Sequence, residues 1–246
     1  MPLAGKFRFY FSFRSPFAGI AFYRLRRSVL FKDFSIEMIP VWPENIFGGH
    51  MDNPTDNLFK LAYVFADAAR QAEEAGLSAI YLRAIAKNIE LPKGVDYSKE
   101  KVGMNMPPES WGITHHAFLH ALDQGKGWEF GDAVFAQRFN FDGNGSRDVM
   151  DPEVLGGIAQ QVGLNMGEVQ NAYASGRYEQ TQAEMISKSE SDGVFGVPFF
   201  TFDQDFGREC FWGNDRLPYL HKALTPTDAL PSIAADDLTA IQPGRN

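Results

Sequence analysis

Strict alternation opens the chain. Phe7, Phe9, Phe11 and Phe13 are separated by Arg8, Tyr10 and Ser12, and a period of two predicts a strand over 7–13 with the phenylalanines on one face. The pattern breaks at Arg14-Ser15-Pro16 and resumes at helical spacing, which predicts a helix from Pro16 to about Phe31. Ser15 suits the N-cap, Pro16 suits the first helical position, and the arginines toward the end complement the helix dipole. The run "FSIEMIPVW", 34–42, reads as a second strand closed by Pro43. Strand, helix and strand at this spacing make a right-handed βαβ unit with parallel strands.

A long helical stretch follows. Leu58, Leu61, Phe65, Ala68 and Ala72 fall on one stripe of 57–77, with Gly76 as a stop. Residues 78–110 are irregular, and "LPKGVDYSKEKVGMNMPPES" predicts a long loop. Helices fit 111–124, 128–140, the Asp-capped run from "DPEVLGGIAQQVGL", 165–175 and 177–190. Strands return at 197–202 and 208–212, flanking a hairpin turn "DQDFG", and Leu217, Leu220 and Leu224 mark a last helix over 214–224. Neither end completes a sheet alone. Together they predict an α/β fold, a thioredoxin-like βαβ…ββα four-stranded mixed sheet with a large all-helical domain inserted. The expected division is a discontinuous sheet domain (1–50 and 191–224), an inserted helical domain (51–190) and a loosely attached tail (225–246).

Composition narrows the function. The chain has 246 residues, 44% hydrophobic and 22% charged, a soluble globular balance with ample material for a core. A net charge of -8 argues against nucleic acid or an anionic membrane as partner. A single cysteine, Cys210, excludes an internal disulfide and a Cys-rich metal site, and fits a reducing, cytoplasmic setting. In its predicted strand beside Trp212, Cys210 is expected to be buried. No secretory segment or membrane span is evident. His115, His116 and His120 include an i, i+4 pair, but no HExxH arrangement accompanies them, so no metal site is expected. "DGNGSRD", 142–148, lacks a P-loop lysine and reads as a turn.

The candidate chemistry sits where the first strand meets the first helix. Unpaired amides and the helix dipole there favour an anion. Redox proteins of this fold place Cys-Pro-x-Cys in that turn, with the first cysteine a stabilised thiolate. Here the four residues are Ser15, Pro16, Phe17 and Ala18, so disulfide exchange through the turn is excluded. What remains is a hydroxyl donor in an anion-favouring place, suited to another molecule's thiolate. Locally, capping alone explains Ser15 and Pro16 equally well. "GVFGVPFF" places Pro198 at a strand start, where proline is unusual. In this fold such a proline is cis, faces the thiol turn, and exposes the backbone of the preceding residue, Val197, to a peptide-like ligand. Asn214 and Asp215 can take the carboxylate and ammonium of a γ-glutamyl group, or can serve as a cap and a dipole partner.

Four segments, "FYFSFRSPFAGIAFYRL", "KLAYVFADAARQAEEAGL", "GSRDVMDPEVLGGIAQQVGL" and "GVFGVPFFTF…FWGNDRLPYL", resemble the 2-hydroxychromene-2-carboxylate isomerase family. That family is closely related to the kappa-class glutathione transferases, within the DsbA-like thioredoxin proteins. The resemblance implies that Ser15 activates the thiol of glutathione, that Lys60 and Asn53 help hold it, and that Asn214 and Asp215 fill the γ-glutamyl positions. Asp67 and Arg70 also match, and their spacing fits a surface ion pair. The resemblance further implies a homodimer, and a small hydrophobic or aromatic substrate. The longer, more polar 78–110 region and the tail depart from the family pattern.

The expected activity is that of a glutathione-dependent isomerase of aromatic compound catabolism. It would act by thiolate addition, bond rotation and elimination on an unsaturated aromatic carboxylate or ketone. A kappa-like transferase that conjugates an electrophile is the alternative enzyme. A non-catalytic binding or scaffold protein on the same fold, with Ser15 only a cap, is the third reading.

Overall fold

Residues 5–41, 58–89, 112–205, 207–225 and 230–233 are described by the computed structural model. The alternating phenylalanines form β1 (Lys6–Phe11), and α1 (Pro16–Arg27) follows after a four-residue turn. α1 is shorter than its apolar spacing predicts because Ser28 leaves the helical conformation. The Ser28 N–H closes on Arg24 O at 2.9 Å, and its hydroxyl caps a single 3-10 turn, Val29–Phe31. β2 (Ser35–Pro40) then pairs parallel to β1, with Phe9 opposite Met38. β3 (Phe199–Gln204) joins the other side of β1 antiparallel, with Phe9 opposite Phe200, and β4 (Gly207–Trp212) pairs antiparallel to β3. The order is β2-β1-β3-β4, the four-stranded mixed sheet expected of a thioredoxin-like fold.

Both faces of β1 are covered. On one, Phe9 stacks on Phe200 at 5.2 Å and meets Phe22 of α1 at 6.2 Å, while Phe7 meets Phe31 and Phe34 edge-on. Each fully buried phenylalanine there contributes roughly 1.5–3 kcal/mol of transfer free energy. On the other face Tyr10, Ile39, Val41, Val194 and Phe199 form a cluster with Met185 of α8 (Glu179–Ser191) against it.

The chain divides into two compact units, Met1–Gly49 with Tyr178–Asn246, and His50–Arg177. Helical pattern alone groups α8 with the insertion; its packing puts it with the sheet. A 3-10 turn (Asn214–Arg216) and α9 (Leu217–Leu224) complete the sheet unit. In the tail, Ile233 is buried and Leu230 is exposed.

The second unit holds α2 (Leu58–Glu74), α3 (Ile80–Ile89), α4 (Gly112–Asp123), α5 (Gly127–Phe139), α6 (Pro152–Gln161) and α7 (Met166–Ala174). Gly76 stops α2 as expected, at φ 73°, with Leu77 N–H returning to Ala72 O at 2.8 Å. α3 corrects the expected 78–110 loop. Ala79, Leu82, Ile85 and Ala86 are buried at helical spacing, and Arg83 pairs with Glu73 across the two helices. The loop signals farther along, in 91–110, lie outside the described residues. No helix among the described residues is long and apolar enough to cross a membrane.

Candidate functional site

Ser15 is the N-cap of α1, in an extended conformation, and its atoms are committed in different directions. Its N–H donates to Ser12 O at 3.0 Å, and its carbonyl accepts from Gly19 N–H at 3.1 Å. The hydroxyl oxygen accepts from Ala18 N–H at 3.2 Å, which ties up a lone pair and turns the O–H away from the helix. That proton is directed to Val197 O at 3.4 Å, a long bond. The first turn of α1 carries no acidic side chain, so none of its own residues offsets the positive end of the helix dipole. The Val197–Pro198 peptide bond is cis. The structure thus brings Ser15, Val197 and Pro198 together, although 182 residues separate Ser15 from Val197.

The loop carrying Val197 begins at a buried carboxylate. The Asp192 side chain is 2% exposed. Its Oδ2 accepts from Tyr10 Oη at 2.5 Å, from Thr201 Oγ1 at 3.1 Å and from an Arg8 NH at 3.2 Å, and its Oδ1 lies 2.7 Å from Arg208. Asp203 bridges the same two arginines, at 2.6 and 3.0 Å. Hydrogen bonds from Arg8 and then Arg208 hold its carboxyl below the usual aspartate range. Burial, followed by the bond to Asp192, keeps the Tyr10 phenol protonated far above its ordinary range. Asp192 therefore fixes the start of the loop to β1, β3 and β4. The loop's other end is held by Gly213 N–H, which donates to Pro198 O at 3.0 Å. Periodicity does not reveal this clamp; its only trace in sequence is an aspartate between the helical run and Gly193.

Asn214 is buried, and its side-chain carbonyl accepts from Arg24 NH1 at 2.7 Å. It does not cap α9, whose N-cap is Arg216 without a side-chain bond. Instead it ties the 214–216 turn to the middle of α1 through an arginine only 4% exposed. An arginine within the apolar run "GIAFYRL" is the available sequence signal for this link. Asp215 is exposed, 3.4 Å from the Arg216 guanidinium, and its carboxylate folds back over Gly213, at φ 107°, where any Cβ would collide with it.

Other sequence candidates fall elsewhere. Lys60 is exposed on α2, in the second unit, and Asn53 lies outside the described residues. Arg70 donates to Asp67 at 2.9 Å on the surface of α2. His115, His116 and His120 are buried in α4, with His116 edge-on to Tyr173 at 5.1 Å. No group of metal-ligating side chains assembles among the described residues. Cys210 corrects the expectation of burial: it is exposed on β4, the edge strand, although its partner Thr201 is fully buried. Residues 142–148 form a turn in which Asp142 accepts from Asn144 N–H at 3.1 Å.

A mixed sheet of this order, with a helix N-cap hydrogen-bonded to the residue before a cis-proline, defines a thioredoxin-fold protein. The redox cysteines of the turn are absent. The sequence profile of the DsbA-like thioredoxin domain matches residues 7–225, and the chain belongs to that family. Its fold is similar to that of a 2-hydroxychromene-2-carboxylate isomerase, with TM-score 0.62 and 20% identity over 89% of this chain and 94% of that one. It is also similar to a probable DsbA oxidoreductase from Streptomyces coelicolor, at TM-score 0.57 and 17% identity over 90% and 88% of the two chains. The cytosolic disulfide reductase DsbM from Pseudomonas aeruginosa, solved with GSH, shares 12% identity at TM-score 0.55 over 89% and 96%. At these identities the likeness is one of fold. No curated protein matches in sequence.

Proposed function

We propose that this protein is a glutathione-dependent isomerase acting on an unsaturated aromatic carboxylate or ketone. One observation carries the reading. The Ser15 hydroxyl sits at the positive end of α1, with a lone pair taken by Ala18 N–H and its proton on a long, weak bond to Val197 O. A thiolate arriving there competes for that proton, and the charge-assisted bond is the stronger of the two. Val197 O is then released to pair with the ligand's backbone.

The residues present fit glutathione. The backbone of Val197, before a cis-proline, suits a short peptide, and the exposed Asp215 carboxylate suits an ammonium group. Asn214 sets the turn that presents Asp215, because its own side-chain oxygen is held by Arg24. Lys60 and Asn53 enter only through the resemblance. A neighbour of the same fold solved with GSH, and another that is an isomerase, support the assignment. The chemistry glutathione supplies is thiolate addition to a conjugated double bond, rotation about the resulting single bond, and elimination that regenerates the thiol. The chain's own tasks are to lower the thiol's pKa and to orient it.

The test is ultraviolet titration of the bound thiol. In the wild type it should ionise below the free value of roughly 8.5, whereas Ser15→Ala should return it toward that value while keeping most of the thermal stabilisation by millimolar glutathione. Absence of any stabilisation, or identical titration in both proteins, overturns the reading. With a turned-over substrate, unconsumed glutathione means isomerase; a conjugate of added mass means transferase.

A further inference from the structure

We infer that Phe195 and Trp212 form a stacking platform for the planar, apolar part of a small-molecule ligand, next to the Ser15–Val197 pair. Both rings are unusually open for their size, at 42% and 55% exposure. They are nonetheless packed against one another and against the core. Phe195 lies edge-on to Trp212 at 5.0 Å and 67°, and edge-on to Phe199 at 5.2 Å and 78°. Phe199 is itself buried in the cluster with Tyr10 and Val194, so the exposed pair is propped from behind by core.

Gly196 completes the arrangement. A Cβ there would stand 2.8 Å from Trp212 Nε1 and 3.2 Å from Cε2. The glycine is required because the loop backbone lies directly against the indole, an approach no side chain permits. The platform also shares its supports with the proposed thiol site. Phe195 and Gly196 lead straight into Val197, Trp212 is paired with Phe199 across the sheet, and the next residue, Gly213, donates to Pro198 O.

Area decides the occupant. Two half-open aromatic side chains offer on the order of 200 Å², whereas a stable protein interface needs about 800 Å² from each partner. One or two fused rings match the first figure. A second protein does not. Aromatic rings prefer offset or edge-on contact with such faces, so the selectivity is for planar, unsaturated ligands over saturated ones of equal size.

Binding at the platform is expected with or without a thiol; only its place in a reaction rests on the function proposed above. The experiment titrates the full chain with benzoate and with cyclohexanecarboxylate, equal in charge and carbon number, by ligand-observed NMR. The wild type should prefer benzoate. Trp212→Ala and Phe195→Ala should each weaken benzoate about three- to tenfold and cyclohexanecarboxylate by less, so that the preference narrows, and Trp212→Phe should keep most of the preference. Because both side chains are exposed, thermal melts of these variants should stay near the wild type. Equal affinity for the two probes, or benzoate binding indifferent to both alanine variants, overturns the platform. So does a wild-type dimer in sedimentation that Trp212→Ala converts to monomer. Ser15→Ala should keep benzoate binding even if glutathione binding is lost, so the two readings fail separately.

Discussion

At Ser15 a single oxygen serves the helix and the ligand site together. Its lone pair satisfies Ala18 N–H, and its proton is left for Val197 O or for whatever displaces it. Replacement by alanine removes the cap, at a cost of about 1 kcal/mol, and removes the hydroxyl that faces Val197 O. If the thiolate role holds, kcat should fall by more than glutathione affinity does; equal losses would mean that the hydroxyl only binds. Asp192 acts at a distance. Asp192→Asn keeps the shape and removes the charge facing Arg8 and Arg208, and should destabilise the protein by about 3 kcal/mol in urea unfolding. That is the lower end for a buried pair, because both arginines reach solvent. A loss under roughly 1 kcal/mol would mean that the clamp contributes little. Ser15 and Pro198 were legible in sequence because each breaks a pattern locally. Asp192 and Arg24 were not, since their meaning lies in partners on other elements.

Among the described residues, alternation and helical spacing locate each strand and nearly every helix to within a few residues. α3 is the exception. Its apolar stripe, Leu82, Ile85 and Ala86, is short, and the loop-forming composition that follows it obscures the signal. Cys210 illustrates a different limit. Strand pattern gives the face of a side chain but not whether a helix covers that face, and β4 lies at the edge. On α9, His221 packs edge-on against Phe31 at 5.6 Å and Phe34 at 6.2 Å, and burial lowers its pKa. The sign follows from linkage. Above the ordinary value of about 6.5 the imidazole is neutral in both states and stability is full. As pH falls below that value the unfolded chain takes the proton first, and stability declines until the folded imidazole titrates as well. Melting temperature should therefore drop between neutral pH and about 5, more in the wild type than in His221→Gln. Parallel profiles would remove His221 as the cause.

For the molecule as a whole, the absence of cysteine from the Ser15–Ala18 turn separates it from redox proteins of its fold. With Cys210 the single cysteine, on the edge strand and with its pKa raised chiefly by partial desolvation of the otherwise exposed side chain, the protein should not accelerate reduction of insulin disulfides in the presence of glutathione. Catalysed precipitation of insulin would contradict that expectation and implicate Cys210. The division into units has a further consequence for biosynthesis. β1 needs β3 as its neighbour, yet β3 is translated almost 190 residues later, after the whole helical unit. On the ribosome, Phe7, Phe9 and Phe11 must wait for that partner while the helices of the intervening segment can already collapse. Synthesis thus leaves one hydrogen-bonding edge of a phenylalanine-rich strand without its partner while the helical unit is made, and nascent-chain chaperones should engage this N-terminal stretch until β3 has emerged.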